Sequence, residues 1–150
     1  MGRSSAKYIA AIHRNTQISF NKQLEDMEIS SGQHDFLYVI SLFEGLTQKE
    51  LSQRLIVGKS TTAKAVKHLM TKGFIRRETD QVDKRCKRLY LSEKGIKAKP
   101  MLEATFKNVN DILFDGLSES ESKQLNQHLQ KVLTNIALSN QIYKEEEPSL

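Results

Sequence analysis

The 150-residue sequence holds one cysteine, Cys86, two prolines and seven glycines. A lone cysteine forms no internal disulfide and builds no cysteine-rich zinc site, so stability must come from packing, and a reducing compartment suits it. Proline and glycine are too sparse for a collagenous or low-complexity chain, and 38% hydrophobic against 27% charged residues is the balance of a chain that folds. Long apolar runs are missing as well. The longest, around Phe36 to Phe43, falls far short of the ~20 residues needed to cross a bilayer. His13, Arg14 and Asn15 interrupt the N-terminal stretch, which leaves no secretory hydrophobic region. A cytoplasmic protein without a membrane partner is expected, built as one domain of 1–150.

Catalytic signatures are also lacking. There is no Gly-rich phosphate loop and no H-E-x-x-H, and His13, His34, His68 and His128 are scattered without ligand spacing. No catalytic residue, metal ligand or cofactor is therefore expected, and an enzyme is disfavoured.

What the sequence does contain is segregated positive charge. Residues 58–99 carry 13 Lys/Arg against 4 Asp/Glu, a local +9, whereas the other 108 residues carry 10 against 14, a local −4. One third of the chain is a basic module on an acidic body, a distribution suited to a polyanionic partner.

Apolar periodicity places the elements around that module. Tyr8, Ile12, Thr16, Phe20, Leu24 and Met27 recur every three or four residues, which predicts a helix over roughly 6–28. Ser30 and Gln33 have capping-box spacing before Phe36–Phe43, which reads as a buried second helix ended by Gly45. Thr47 and Glu50 form another such box, with Leu46 placed to staple onto Leu51, and open a short helix over 47–55. From Gly58 to Gly73 a further helix is expected, with Ala63, Val66, Leu69 and Met70 facing inward and Ser60, Thr61, Lys64, Lys67 and His68 outward.

The period then changes. Residues 74–79 and 87–91 read as two short strands around the polar tip Asp80-Gln81-Val82-Asp83-Lys84-Arg85, a β-hairpin. Ser92 caps a long helix, which Pro100 should kink. Gly116 ends it, and Ser118 with Glu121 starts a last helix carrying Leu125, Leu129, Val132, Leu133, Ile136 and Ile142. The fold class expected is mostly α with a small β-hairpin wing (α+β). A winged helix-turn-helix lobe over 30–91 joins helical segments at 6–28 and 92–143, and an acidic tail follows at 144–150.

Two short helices with a tight turn, the second basic on its outer face, followed by a hairpin with a basic tip, make a winged helix-turn-helix. Helix N-termini and Ser, Thr and Lys side chains bind phosphates, and the exposed face of a helix in the major groove reads base edges. Ser60, Thr61, Lys64, Lys67 and His68 are the candidate readers of double-stranded DNA. Arg85, with Lys84 beside it at the hairpin tip, suits a narrow minor groove. Asp83 is placed to brace the Arg85 guanidinium.

The wing carries the sharpest resemblance. Asp83-Lys84-Arg85 and then, after five residues, Leu91-Ser92 match the D-x-R…L-[TS] pattern of the MarR family of transcriptional regulators. Leu46-Thr47-Gln48-Lys49-Glu50-Leu51 and Leu69-Met70-Thr71-Lys72-Gly73-Phe74-Ile75 resemble its other blocks, and the order of elements matches over roughly 6–143. Ala63 departs from it, since many relatives place Thr there. The resemblance implies a homodimer whose terminal helices interlock, with a small-molecule effector pocket between the dimer region and each DNA-binding lobe. Ile9, Ile12, Leu125, Leu129, Leu133 and Ile136 are the interface candidates, because the long helices carry more apolar side chains than the winged module can cover. The function implied is a ligand-responsive repressor on a pseudo-palindromic operator. Two alternatives stand beside it: a DNA-binding redox sensor using Cys86, whose basic neighbours Arg85 and Lys87 favour a thiolate, and a winged-helix protein used only for protein interaction.

Overall fold

The computed structural model describes residues 2–30 and 32–141. Ile142, the end of the expected last helix and the acidic tail lie outside the described residues. Helix α1 spans Gly2–Gln23, longer at its start than the apolar period implies, and a 3₁₀ turn at Glu25–Met27 follows. The expected helix to residue 28 is thus broken at Leu24, whose φ of −113° leaves the α region. Periodicity could not reveal the break, because a 3₁₀ turn keeps residues three apart on one side, so Leu24 and Met27 still enter the core.

Helix α2 (Gln33–Leu42) starts from Gly32, at φ +88°, and not from a capping serine. Only half of the expected box forms. Gln33 Oε1 accepts from Ser30 N at 3.3 Å and from Ser30 Oγ at 3.0 Å, while no side chain caps the helix. Phe36, Leu37 and Ile40 are buried, but Leu42 and Phe43 are exposed, so the apolar run is buried along one face only. Helix α3 (Gln48–Leu55) has its full capping box: Thr47 Oγ1 accepts from Glu50 N, and Glu50 Oε2 accepts from Thr47 N at 2.9 Å. Leu46 and Leu51 are both buried beside that start.

Helix α4 (Lys59–Thr71) ends before Gly73, at φ +80°, and leads into the antiparallel strands β1 (Ile75–Thr79) and β2 (Lys87–Leu91), registered with Ile75 opposite Leu91 and Thr79 opposite Lys87. Helix α5 (Glu93–Phe114), capped by Ser92, runs unbroken through an exposed Pro100, and α6 (Glu119–Ser139) starts from a complete Ser118–Glu121 capping box. One core joins Phe20 and Leu24 of α1, Leu37 and Ile40 of α2, Leu51, Val66, Leu69, the strand residues Leu89 and Leu91, and Leu102 of α5. It fixes α3, α4 and the hairpin as one unit against α2. In α6, by contrast, Ala137 is the only buried residue. No helix among the described residues is long and apolar enough to cross a membrane.

Candidate nucleic-acid interface

The inner face of α4 is Thr62, Ala65, Val66 and Leu69, all buried, and this line of i, i+3, i+4 and i+7 positions sets which residues point away. Ser60, Thr61, Lys64 and Lys67 are exposed on one strip, as the sequence leads one to expect. Ala63 corrects that expectation: it is exposed on the strip, and Thr62 takes the buried place. A buried threonine is tolerated because its hydroxyl is satisfied. Ser52 Oγ donates to Thr62 Oγ1 at 2.6 Å, and Thr62 Oγ1 donates to Gly58 O at 3.3 Å, which ties the start of α4 to α3. His68 lies at the edge of the strip, half-buried, with its Nε2 shielded and unpaired. Gly58 offers no side-chain cap, so the first-turn amides of α4 face outward beside Lys59, Ser60 and Thr61, an arrangement that receives a phosphate oxygen.

The wing tip is closed by its own backbone. Asp80 N donates to Cys86 O and Cys86 N donates to Asp83 O, each at 2.9 Å. Cys86 is half-buried in this turn. Arg85 projects with 95% of its side chain exposed, and Lys84 is exposed next to it. Asp83 Oδ1 accepts from Arg85 N at 3.1 Å and lies 3.5 Å from Arg85 Nε, so it shapes the turn first and touches the guanidinium only loosely.

The better-made ion pair in the wing is one that sequence reasoning missed. Arg88 Nε and Nη2 lie 3.0 and 2.9 Å from Asp80 Oδ2, and Arg88 Nη1 donates to Gly45 O at 2.9 Å. The Val82 backbone N–H, foremost, and the Arg88 guanidinium hold the Asp80 carboxyl below its ordinary range. Strand register alone would set Arg88 opposite Glu78, but Glu78 pairs with Arg76 on its own strand. Asp80 N donates to Cys86 O, so the register runs on past Thr79, and Asp80 lies diagonally across the hairpin from Arg88 on the same face, within reach of a long side chain. Nearby, Arg77 Nη1 donates to Gln48 Oε1 at 3.3 Å, a second tie between hairpin and α3.

Away from this surface, Ile9, Ile12, Leu125, Leu129, Leu133 and Ile136 are all exposed, as are Tyr8, Ile18, Ile112 and Val132. They form unpartnered apolar faces on α1, α5 and α6. Between α1, α2 and α5 a cavity of about 370 Å³ is lined by Thr16, Phe20, Tyr38, Phe106, Val109 and Leu113. Tyr38 stacks on Phe106 at 4.0 Å between centroids and 9° between planes, and Phe20 sits 4.5 Å from the same ring. No group of His, Cys, Asp and Glu able to hold a metal occurs among the described residues.

The sequence model of the MarR family matches residues 26–85, which run from the end of the 3₁₀ turn to the wing tip. The HTH-type transcriptional regulator BilQ of Clostridium symbiosum is 30% identical over 132 residues, covering 88% of this chain and 92% of that protein. The chain belongs to the MarR family. A MarR transcriptional regulator from Methanosarcina mazei Go1 has a similar structure, with a TM-score of 0.74 and 31% identity over 89% of this chain and 96% of its own. A MarR family regulator from Listeria monocytogenes, solved in complex with 26mer DNA, superposes with a TM-score of 0.78 at 25% identity, over 100% of this chain and 98% of that one. This MarR family member is a transcriptional regulator with a winged-helix DNA-binding lobe, not an enzyme.

Proposed function

We propose that the protein is a cytoplasmic homodimeric repressor that binds a pseudo-palindromic operator and releases it on binding a small apolar ligand. The observation that carries this reading is the pairing of two outward features on one rigid lobe. They are the uncapped, polar and basic strip of α4 and a wing whose Arg85 stands free in solvent. In this reading Ser60, Thr61, Lys64, Lys67 and His68 approach the major groove, while Lys84 and Arg85 reach the adjacent minor groove. Ala63, small and exposed, lets the strip come close to base edges and suits apolar contact with a thymine methyl.

A second copy supplies the missing cover for Ile9, Ile12, Leu125, Leu129, Leu133 and Ile136. Two-fold symmetry then sets the recognition helices about 34 Å apart, one turn of DNA. The cavity beside Tyr38 and Phe106 is mainly apolar and aromatic, with Thr16, Lys107 and Asn110 also on its wall, which suits a flat, mainly hydrophobic effector. Its wall includes α2, whose C-terminal turn abuts the wing, so a ligand that displaces α2 also disturbs the reading surface.

The test is Arg85→Ala on duplex DNA selected from a random pool by the intact protein. Affinity should fall by roughly 1–3 kcal/mol. Loss of one contact per subunit removes about two released counterions per dimer, so the deficit should shrink about twelvefold between 50 and 200 mM salt. An unchanged affinity and salt slope would refute minor-groove entry, and failure to select any duplex would refute DNA binding itself.

A further inference from the structure

The wing presents several basic residues, and one of them is not free to meet DNA. Arg88, on β2, has its Nε and Nη2 on Asp80 Oδ2 at 3.0 and 2.9 Å and its Nη1 on Gly45 O at 2.9 Å. Each of the three guanidinium nitrogens thereby makes one contact within the protein, although the side chain stays 39% exposed. Its backbone also pairs with Thr47 in an isolated antiparallel bridge, just where the α3 capping box begins. Asp80 in turn is fixed from both sides of the tip: its Oδ1 accepts from Val82 N at 3.0 Å, and its backbone N–H closes the turn onto Cys86 O. Gly45, at φ +91°, takes a backbone conformation that turns its carbonyl towards the hairpin, and Tyr90 packs within 3.4 Å of where a Cβ would stand. Residues 45–46 add two further bonds to β2, Gly45 N to Leu89 O at 2.8 Å and Leu89 N to Leu46 O at 2.9 Å.

We propose that Arg88 and Asp80 are positioning residues for DNA binding: their ion pair, in which two guanidinium nitrogens converge on Asp80 Oδ2 and the third is anchored on the Gly45 carbonyl, holds the wing at the angle that presents Arg85 to the minor groove. The alternative role for a wing arginine is direct phosphate contact, and here the engaged guanidinium argues against it. Two donors converging on one carboxylate oxygen, with the third nitrogen on a backbone carbonyl, restrain the guanidinium in direction as well as in distance. Without it, the hairpin beyond Thr79 and Lys87 is restrained only by its own turn. The Arg85 guanidinium itself is held by nothing firmer than a 3.5 Å approach of its Nε to Asp83. Its position is inherited from the base of the wing.

This inference rests on the proposed entry of Arg85 into the minor groove, and the experiment separates the two. The intact protein and its Arg88→Gln, Asp80→Asn, double Arg88→Gln/Asp80→Asn and Arg85→Ala variants are compared on the selected duplex by anisotropy across a salt series and by hydroxyl-radical footprinting. Each clamp variant should bind about tenfold more weakly, no more than Arg85→Ala loses, and the double variant should be no weaker than the singles. The recognition-helix protections should persist, while those at the flanking minor groove fade in both clamp variants and in Arg85→Ala.

Four outcomes overturn the proposal. Asp80→Asn could bind as well as or better than the parent while Arg88→Gln loses affinity and salt slope, which makes Arg88 a phosphate contact. Protection could fade evenly over the whole site, which makes the pair a plain stability element. Arg85→Ala could keep the flanking protection, in which case there is no wing entry to position. If Arg85→Ala alone loses the flank and both clamp variants keep it, minor-groove entry stands and the positioning role falls.

Discussion

Replacing Gly95 by alanine should destabilise the protein, even though alanine is the better helix former. Gly95 lies in the first turn of α5, where an exchange to alanine normally gains up to about 1 kcal/mol. Here the added Cβ would stand 2.1 Å from the Phe74 carbonyl oxygen and 3.2 Å from Leu91 Cδ2. Reaching even 3.0 Å from that oxygen requires about 0.9 Å of separation between two backbone segments. Neither segment is free to yield. Phe74 O accepts from Ser92 N at 3.0 Å, and Ser92 Oγ accepts from Gly95 N at 3.1 Å, so opening the gap strains the cap of α5 and its seat on the hairpin together. Overpacking of this kind costs about 1–3 kcal/mol, and a weakened hydrogen bond adds about 1 kcal/mol, so the net loss should be about 1–3 kcal/mol after the propensity gain. Urea unfolding at one fixed protomer concentration reads it directly as a lower midpoint with an unchanged slope. A higher midpoint for Gly95→Ala would refute the close approach. The position matters to function because α5 leaves the DNA-binding lobe at this joint.

His34 should make stability fall in mild acid. It is buried on α2 with neither ring nitrogen hydrogen-bonded, and burial pushes its pKa down more than the nearby Ile29 backbone raises it. A folded-state pKa below the unfolded ~6.5 gives stability that is complete above pH 6.5 and declines below it, by up to about 1.4 kcal/mol per unit. His34→Leu should flatten that decline in urea midpoints taken from pH 7.5 to 5. Half-buried Asp35 acts oppositely and at lower pH, because desolvation raises its carboxyl pKa more than the nearby His13 lowers it, so a decline that persists in His34→Leu would assign it elsewhere. Ile136→Asp, on an exposed and apolar α6 position, should weaken self-association by at least roughly 2 kcal/mol, about thirtyfold in Kd, and sedimentation should show monomers at micromolar concentration. An unaltered dimer would move the interface off this face. Asp83→Asn should weaken operator binding although it removes a negative charge, since an asparagine oxygen still accepts from Arg85 N and what is lost is the carboxylate charge that steadies the Arg85 guanidinium. Tighter binding at every salt concentration would leave Asp83 a turn residue.

Local features were legible in the sequence, and features that depend on distant chain segments were not. The Thr47–Glu50 and Ser118–Glu121 boxes form as expected because both partners sit three residues apart in one helix turn. Ser30 and Gln33 have the same spacing yet make half the box, because the left-handed Gly32 takes over the helix start. On α4 the apolar residues alone suggested that Ala63 faces inward. The burial line instead passes through Thr62, whose polarity is masked by a hydroxyl pair with Ser52 that no local pattern signals. The Arg88–Asp80 pair was not legible because it runs diagonally across the hairpin and not between directly opposed residues, and its third partner is the backbone of Gly45, 43 residues away. The glycine at 95 likewise reads as a flaw in a helix until the Phe74 carbonyl is seen beneath it.

The parts that sequence could not show are those that connect the reading surface to the rest of the molecule. The strip on α4 is seated by Thr62 on Ser52, the wing by Arg88 on Asp80 and Gly45, and α5 by Gly95 on Phe74. Each joint is short, and each joins a surface element to the same core. Beyond the last of them, at Gly95, α5 runs about 18 residues, roughly 27 Å as a helix, to the exposed apolar pair Ile112 and Leu113. A lobe rigid within itself and fixed to one long lever has little freedom except at the lever's far end. In a two-fold assembly the distance between the two reading surfaces is then governed by how the apolar faces of α1, α5 and α6 are covered. In the repressor proposed above, a ligand entering the cavity beside Phe106, where α5 meets α1 and α2, would act near the middle of that lever, so a small change in packing there would be enlarged at the DNA.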